Sequence, residues 1–442
     1  MGKDFKIIKY FLGLSLFLFV LNFLSVFTPE IGFDALWYHL TLPKLWLQNN
    51  QYHFSGGLLY YSVMPRLTEW IFTPLIYFFG TTGPKFLQLL SGLGVCWLTY
   101  KIARAQNLGR NLSVLAGCLF HLSFLVSWQS SSAYIDLFRS FLETLALYMF
   151  LTKKKTLGAI LLGLSLGTKW LALFSVVIYG LVFGLSIIPI SLLVALPWFA
   201  TAYEFTGNPV FPLFSSILQN GFQTLFGTIN NLFTAPVMFT FPFDDFISPV
   251  AGLLFSLAAV SLLFENTLRK KIIYLGLLGG LSTLVLNPPS ARFFLPYYPA
   301  VIISAMFFIQ KMPLKLQNLF YSLFLLSAVS VVILRINSFR KNIDFLLGKQ
   351  NTNQYLSSLS ARLPDTFIDS DDFVKNNLAG QKIIIDKLHN LYYFPYSFDH
   401  TSWTQGTKGY NYLVTKNQDP KQVNGSLIHT NSVGIQIFKL SQ

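Results

Sequence analysis

Charge is what this sequence has least of. Only 11% of its 442 residues are charged, and 18 residues in all are acidic. Soluble proteins average about 25% charged residues, so an ordinary soluble enzyme is excluded. Cysteine is nearly absent. Cys96 and Cys118 fall in apolar runs with no partner nearby in sequence, so they are assigned to packing, and no Cys/His cluster of zinc type exists. No phosphate-cradling glycine loop is present, which argues against a nucleotide-driven mechanism. No internal repeat is evident. The first apolar run is too long for a signal peptide, and no small-residue cleavage site follows it.

Apolar residues fill the space. The chain is 53% hydrophobic, with 45 phenylalanines and 21 tyrosines, and its mean hydropathy is +0.52. Several runs approach the ~20 residues that span a bilayer. The expected fold is therefore an all-α polytopic membrane protein with a small C-terminal extracytoplasmic α/β domain.

The net charge of +14 does not point to nucleic acid, because the basic residues punctuate the apolar runs. The clusters are Lys3, Lys6 and Lys9; Lys101, Arg104 and Arg110; Lys153 to Lys155; Arg269 to Lys271; Lys311 and Lys315. Short loops rich in Lys and Arg face the cytoplasm. Spans read against these clusters run over Ile7–Phe27, Phe86–Ala103, Leu112–Trp128, Leu137–Thr152, Leu157–Thr168, Leu171–Ile188 and Pro189–Thr201. They continue over Phe246–Phe264, Ile272–Leu286, Phe293–Gln310 and Leu316–Leu334, about eleven transmembrane helices in all. The N-terminus is then cytoplasmic and the C-terminal domain extracytoplasmic. The weakest spans are those around Leu157 and Pro189, where broken helices or a re-entrant pair are the alternative. Trp70–Phe79, interrupted by Pro74, is expected to lie along the outer interface.

Residues 1–336 form the expected membrane domain, with outer loops 28–85 and 202–245. Residues 337–442 form the outer domain, with β-like runs at Lys382–Asp386, Tyr410–Thr415 and Val433–Phe438.

Candidate chemistry sits on the outer side. Asp34 lies just past the first span among Trp37, Tyr38, His39 and Lys44. If helical, the segment puts Asp34, Trp37 and Tyr38 on one face and points His39 elsewhere. Asp34 reads as a base or substrate orienter, or as an N-cap or solvated loop acid. Asp136 opens the fourth span, with Ser140 and Glu143 below it and Arg139 alongside; a purely structural salt-bridge cluster is the alternative. Lys169 follows Gly167-Thr168 at an outer boundary and reads as a phosphate contact or a snorkelling lysine. Arg292 is the single base of a tight outer turn, and its planar fork suits phosphate; the alternative is a plain loop charge. Lys44, Arg66 and Lys85 are the other basic residues of the first loop. Asn208 sits in the turn Gly207-Asn208-Pro209. Glu204 and the pair Asp244-Asp245 are spare acids, the pair reading as a helix N-terminus before a metal site.

In order along nearly the whole chain, these pieces resemble the GT-C class of integral membrane glycosyltransferases, in its protein mannosyltransferase-like and lipid A aminoarabinose transferase-like branch. The resemblance is carried by Asp34 with Tyr38-His39, by the proline-bearing helix ending Phe79-Gly80, and by Tyr134-Ile135-Asp136. It continues with Gly167-Thr168-Lys169, Pro197-Trp198, Gly207-Asn208-Pro209-Val210-Phe211-Pro212 and Arg292-Phe293-Phe294-Leu295-Pro296. It implies a polyprenyl-phosphate-linked sugar donor, transfer on the outer face, and a lipid, glycan or protein acceptor. It implies Asp34 as base or orienter in an inverting reaction, Asp136 as the second acid, and Lys169 and Arg292 as holders of the lipid phosphate. Tyr38, His39 and Asn208 complete the expected substrate-binding set. Many relatives carry two adjacent acids in the first loop, whereas Ala35 follows Asp34. That leaves the acceptor and a divalent metal open, and no clear ligand cluster supports the metal. The competing readings are a transporter or flippase of lipid-linked saccharides, which would place polar residues at several mid-span positions, and a surface polysaccharide polymerase or ligase.

Overall fold

The computed structural model describes residues 2–52, 54–216, 221–240, 247–287 and 289–441. The acidic pair Asp244-Asp245 lies outside the described residues. The helices are α1 (Gly2–Val26), α2 (Thr41–Asn49), α3 (Leu67–Phe79), α4 (Thr82–Ala105), α5 (Arg110–His121), α6 (Phe124–Gln129), α7 (Asp136–Leu151) and α8 (Lys155–Thr168). They continue with α9 (Ala172–Phe183), α10 (Ile187–Thr206), α11 (Leu225–Thr240), α12 (Ala251–Ser261), α13 (Thr267–Thr283), α14 (Ala291–Phe294), α15 (Tyr298–Ile309) and α16 (Leu314–Phe339).

Among the described residues, four helices are long and apolar enough to cross a membrane: Ile7–Val26, Thr82–Ala105, Ile187–Thr206 and the run Leu314–Leu346. Five shorter apolar helices accompany them, and the chain is an integral membrane protein. Helix length does not establish the expected count of eleven.

Three boundaries differ from expectation. The span expected over Leu112–Trp128 is two helices, broken at Leu122-Ser123, where the Phe124 amide donates to the Ile247 carbonyl at 2.7 Å. The region around Pro189 is the start of α10, one of the four long helices. Proline is tolerated in a first helical turn, and Gly184 at φ 117° supplies the turn before it. The expected loop 202–245 contains the helix α11.

Antiparallel hairpins build the bundle. α7 packs between α4 and α8, and α8 packs on α10. The last contact needs Gly163, since a Cβ there would stand 2.6 Å from the Ser191 carbonyl oxygen; small residues let membrane helices approach closely. One end of the bundle gathers basic loops. Arg269 pairs with Glu265 at 3.0 Å and donates to the Gln106 carbonyl, and Lys311 pairs with Glu265 at 2.8 Å.

The opposite end carries the first loop and the C-terminal domain. That domain adds α17 (Ile343–Leu346), α18 (Thr352–Ser358) and α19 (Phe373–Asn377) to a five-stranded sheet. Its strands are β1 (Ile383–Ile385), β2 (Asp399–His400), β3 (Tyr412–Lys416), β4 (Gly425–Thr430) and β5 (Ile435–Leu440), in the order β2-β1-β3-β5-β4. β1 pairs in parallel with β2 and β3, and β5 pairs antiparallel with β3 and β4. The three expected runs contain β1 and overlap β3 and β5, which extend to Lys416 and Leu440. Leu58 of the first loop enters the domain's core. The Lys44 ammonium donates to the carbonyls of Tyr392, at 2.6 Å, and Phe394. Tyr393 donates to the Glu30 carbonyl at 2.9 Å. The domain is thus anchored directly over the loop that bears Asp34.

Candidate active site

The first loop is shaped from Glu30 onward. The Glu30 carboxylate accepts the amides of Ile31 (2.9 Å), Gly32 (2.7 Å) and Ala133 (2.6 Å) and the Ser132 hydroxyl (2.9 Å). One side chain therefore sews the first loop to the turn before α7. Gly32 is required in this seam, because a Cβ would lie 2.5 Å from the Tyr134 ring. The next residues, Ala35–His39, form a π-helical turn closed by the Leu40 amide on the Ala35 carbonyl at 2.9 Å. Such turns are rare and collect at functional sites.

Asp34 stands at the head of this turn. Its carboxylate receives Arg292 Nη1 at 2.5 Å, and its amide donates to the Tyr134 hydroxyl at 3.4 Å. The guanidinium lies 5.2 Å over the centre of the Tyr134 ring. Arg292 comes from α14, whose N-cap Ser290 accepts the Arg292 amide at 3.3 Å. Both charged side chains stay partly open to solvent, at 18% for Asp34 and 19% for Arg292.

Asp136 is the first residue of α7 and is buried. Its carboxylate receives Lys169 Nζ at 2.8 Å and Gln129 Nε2 at 3.1 Å. Lys169 leaves the end of α8 in extended conformation, so this pair closes the α7–α8 hairpin. The ammonium also lies 5.2 Å from the centre of the Phe293 ring. The two ion pairs thus adjoin: Arg292 and Phe293 are consecutive, and Tyr134 and Asp136 share one short turn. The four charges Asp34, Arg292, Asp136 and Lys169 form a balanced group, assembled from four separate parts of the chain. Lys169 and Arg292, expected as phosphate contacts, each hold one of the two acids.

Tyr38 is buried and stacks on Tyr61, with ring centres 3.9 Å apart. Burial first, then the charge of Asp34, push its hydroxyl well above the usual tyrosine range. It is a neutral donor beside the acids. His39 faces away from them: its Nδ1 meets Glu69 Oε1 at 2.5 Å in a buried pair. Sequence reasoning misses Glu69, because nothing thirty residues downstream of His39 marks it as a partner. Asn208 spends its amide on its own turn, donating to the Leu213 carbonyl at 2.6 Å and accepting from the Val210 amide at 3.1 Å.

The remaining bases of the first loop are committed elsewhere. Lys85 donates to the Thr28 carbonyl at 2.8 Å, and Arg66 is buried against the rings of Trp46 and Tyr52. Ala35 is fully buried in an apolar cluster with Leu40, Phe72, Ala133, Tyr134 and Ile135. An acid there would be charged in an apolar pocket, which explains why this chain carries none. Among the described residues, no group of three or more His, Cys, Asp or Glu is arranged to hold a metal ion.

An apolar groove of about 840 Å³ lies along α9 and reaches Trp170, the residue after Lys169. Trp170, Leu173, Phe174, Leu181, Phe214 and Leu278 are among its walls. Its apolar lining suits a hydrocarbon chain, and its wall residue Trp170 directly follows Lys169 in the chain.

No protein-family model and no curated protein matches this sequence. Solved structures do match. ArnT from Cupriavidus metallidurans in the apo state aligns over 97% of this chain and 96% of its own, with TM-score 0.62 and 12% identity. The same protein bound to undecaprenyl phosphate aligns over 97% of each chain, with TM-score 0.61 and 13% identity. An Archaeoglobus fulgidus oligosaccharyltransferase, tethered to an acceptor peptide containing the NVT sequon, aligns over 98% of this chain and 74% of its own, with TM-score 0.51 and 10% identity. The chain has the fold of these GT-C proteins along nearly its whole length.

Proposed function

We propose that the chain is a membrane glycosyltransferase that moves a sugar from a polyprenyl-phosphate donor to an acceptor at the end of the bundle covered by the C-terminal domain. The observation that carries this reading is the pair of ion pairs, Asp34–Arg292 and Asp136–Lys169, together with an apolar groove that reaches Trp170, the residue after Lys169. One structural neighbour was solved with undecaprenyl phosphate bound, which supports a lipid-linked donor.

The chemistry follows from the charges. The donor's lipid lies in the groove, and its phosphate approaches Lys169 and Arg292. Phosphate competes with the carboxylates for both cations, so its arrival loosens Asp34 from Arg292. The freed carboxylate accepts or orients the proton of the acceptor nucleophile. The nucleophile's lone pair attacks the anomeric carbon as the bond from that carbon to the phosphate oxygen breaks. The bonding electrons leave on the phosphate, where Arg292 and Lys169 stabilise the developing charge. Attack opposite the leaving phosphate inverts the anomeric centre. Buried Asp136 holds Lys169 in place and serves as a positioning residue.

The test is incubation of the purified protein in lipid with a panel of polyprenyl-phosphate sugars and candidate lipid, glycan and peptide acceptors. Mass spectrometry reads which donor is consumed. A free lipid phosphate and a glycosylated acceptor are expected; failure of every donor to turn over, with the protein folded, would sink the reading. Orientation is tested separately. A thiol introduced at Ser441 should label from outside the cell and one at Gly2 should not, because the basic loops gather at the end away from the C-terminal domain. The reverse pattern overturns the assignment of that domain to the outer face.

A further inference from the structure

A second cavity lies between the bundle and the C-terminal domain. It holds about 450 Å³ and is bounded by the start of the first loop, α6, the last turns of α16, and α18 with the chain beyond it. None of Asp34, Arg292, Asp136 and Lys169 lines it. The cavity is therefore separate from the four-charge group, and its chemistry is independent of the proposed reaction.

Its charge is one-sided. Arg335, Lys341 and Arg362 line it, and Arg340 lines an adjoining recess that shares Lys341 and Arg362. Two further charged residues on the wall are already engaged. Glu30 is wrapped by amides and a hydroxyl, and Lys85 is held by the Thr28 carbonyl. Asp344 in the recess pairs with Lys349 at 3.5 Å. Among the described residues, no carboxylate forms an ion pair with Arg335, Arg340, Lys341 or Arg362.

Arg335 is the sharpest of the four. It is 6% exposed. Its Nη2 donates only to neutral oxygens, Asn22 Oδ1 at 3.1 Å and Ser131 Oγ at 3.2 Å, and its Nε has no partner. A guanidinium buried without an anion is costly, and supplying one relieves the cost. The exposed cations Lys341 and Arg362 at the cavity rim, with Arg340 in the adjoining recess, would reinforce that anion's hold.

The surroundings say what carries the anion. Arg335 touches Asn22, so α1 and α16 form a seam at this level. Val20, Phe23 and Leu24 on α1 and Val329, Ile333 and Leu334 on α16 are all exposed on the flanking turns. A cationic cavity at the head of an apolar seam matches an anionic amphiphile. We infer that this cavity binds the phosphate head group of an anionic lipid, whose chains lie along α1 and α16. The planar fork of Arg335 takes phosphate oxygens, and Lys341 and Arg362 close over the rim as exposed bases.

The test is native mass spectrometry of the full chain released from nanodiscs of mixed phosphatidylglycerol and phosphatidylcholine. The wild type should retain phosphatidylglycerol over phosphatidylcholine. The double variant Lys341→Gln/Arg362→Gln alters only exposed side chains and should keep its melting temperature. It should lose about tenfold in retention, the scale of one charge-assisted phosphate contact. Arg335→Lys keeps the charge, loses the fork and should fall between the two. The control Lys153→Gln/Lys154→Gln, at the far end of the α7–α8 hairpin, should retain lipid like the wild type. Equal retention by wild type and the rim variant would overturn the site. Displacement of the lipid by millimolar inorganic phosphate alone would overturn the lipid as occupant and leave a simple anion pocket.

Discussion

α7 carries two acids that live in different worlds. Asp136 at its head shares a cluster with Lys169, Asp34 and Arg292, where three of the four side chains are partly open. Glu143, two turns deeper, is sealed. Its carboxylate receives Arg139 Nε at 2.7 Å, Ser175 Oγ at 2.6 Å and Ser165 Oγ at 2.9 Å, and the Tyr179 hydroxyl caps its carbonyl at 2.9 Å. The Tyr297 hydroxyl joins Ser175 at 2.7 Å. A carboxylate with this many fixed partners has no capacity left for a substrate. In the upper pairs Asp34, Arg292 and Lys169 are partly open to solvent, so an arriving phosphate or hydroxyl can reach and replace a partner. Burial of charge alone does not mark a site; exchangeable partners do. The same contrast weighs against a flippase, since Arg139 and Glu143, the charges deeper along α7, are closed on one another.

The largest effect that would test this contrast is at Asp34. Asp34→Asn keeps shape and removes the negative charge. If Asp34 takes or steers the acceptor proton, turnover should fall by about 10² to 10⁴, the usual contribution of a positioned acid or base. Folding should be unchanged, because the residue is partly exposed and its lost partner Arg292 can turn to solvent. Near-normal turnover would remove Asp34 from the chemistry and return it to the role of a surface ion pair.

Much of this architecture is readable in the sequence, and the unread parts have physical reasons. Alternation of apolar runs with basic clusters locates the hairpins, because both follow from the bilayer. The end of α9 escapes such a reading because apolarity continues through Val182, Phe183, Leu185 and Ile187; only Gly184 marks the turn, and a lone glycine in an apolar run is weak punctuation. α11 escapes it because its sixteen residues lie in an expected loop and contain Pro236. In the candidate site, residue type and place single out Asp34, Asp136, Lys169 and Arg292 one by one. Their pairing is not legible. Arg292 and Asp34 are 258 positions apart, and without homologues no sequence signal connects them. Asn208 shows the converse. Its motif is visible, yet its amide builds a turn.

A smaller effect is expected at Arg292. If Arg292 holds the donor phosphate as proposed, Arg292→Ala removes a charge-assisted contact worth roughly 1.5–3 kcal/mol. That corresponds to about tenfold to a hundredfold in apparent donor affinity or rate. Arg292→Lys keeps the charge and loses the planar fork, so it should recover part of the loss. Donor titration of both variants, after equal insertion and folding are verified, separates them. Kinetics identical to wild type for Arg292→Ala would leave Lys169 as the sole phosphate contact and end the exchange mechanism.

The smallest effect on turnover, and the one that sharpens the comparison most, is expected in the sealed network. Glu143→Gln leaves the Arg139 guanidinium buried without its anion, a change that costs about 3–5 kcal/mol in comparable buried pairs. The melting temperature should drop and expression should fall with it. The double variant Arg139→Met/Glu143→Leu removes both charges together, and replacing a buried pair with apolar side chains is often near neutral. It should therefore recover much of the stability lost in the single variant. Turnover per folded molecule should stay close to that of the wild type in both. The measurement is thermal unfolding in lipid beside initial rates normalised to folded protein. A large loss of normalised rate in the double variant, with stability retained, would mean that the deep acid communicates with the reaction. Asp136 and Glu143 would then belong to one functional unit along α7, and the division between an exchangeable cluster and a sealed one would fail.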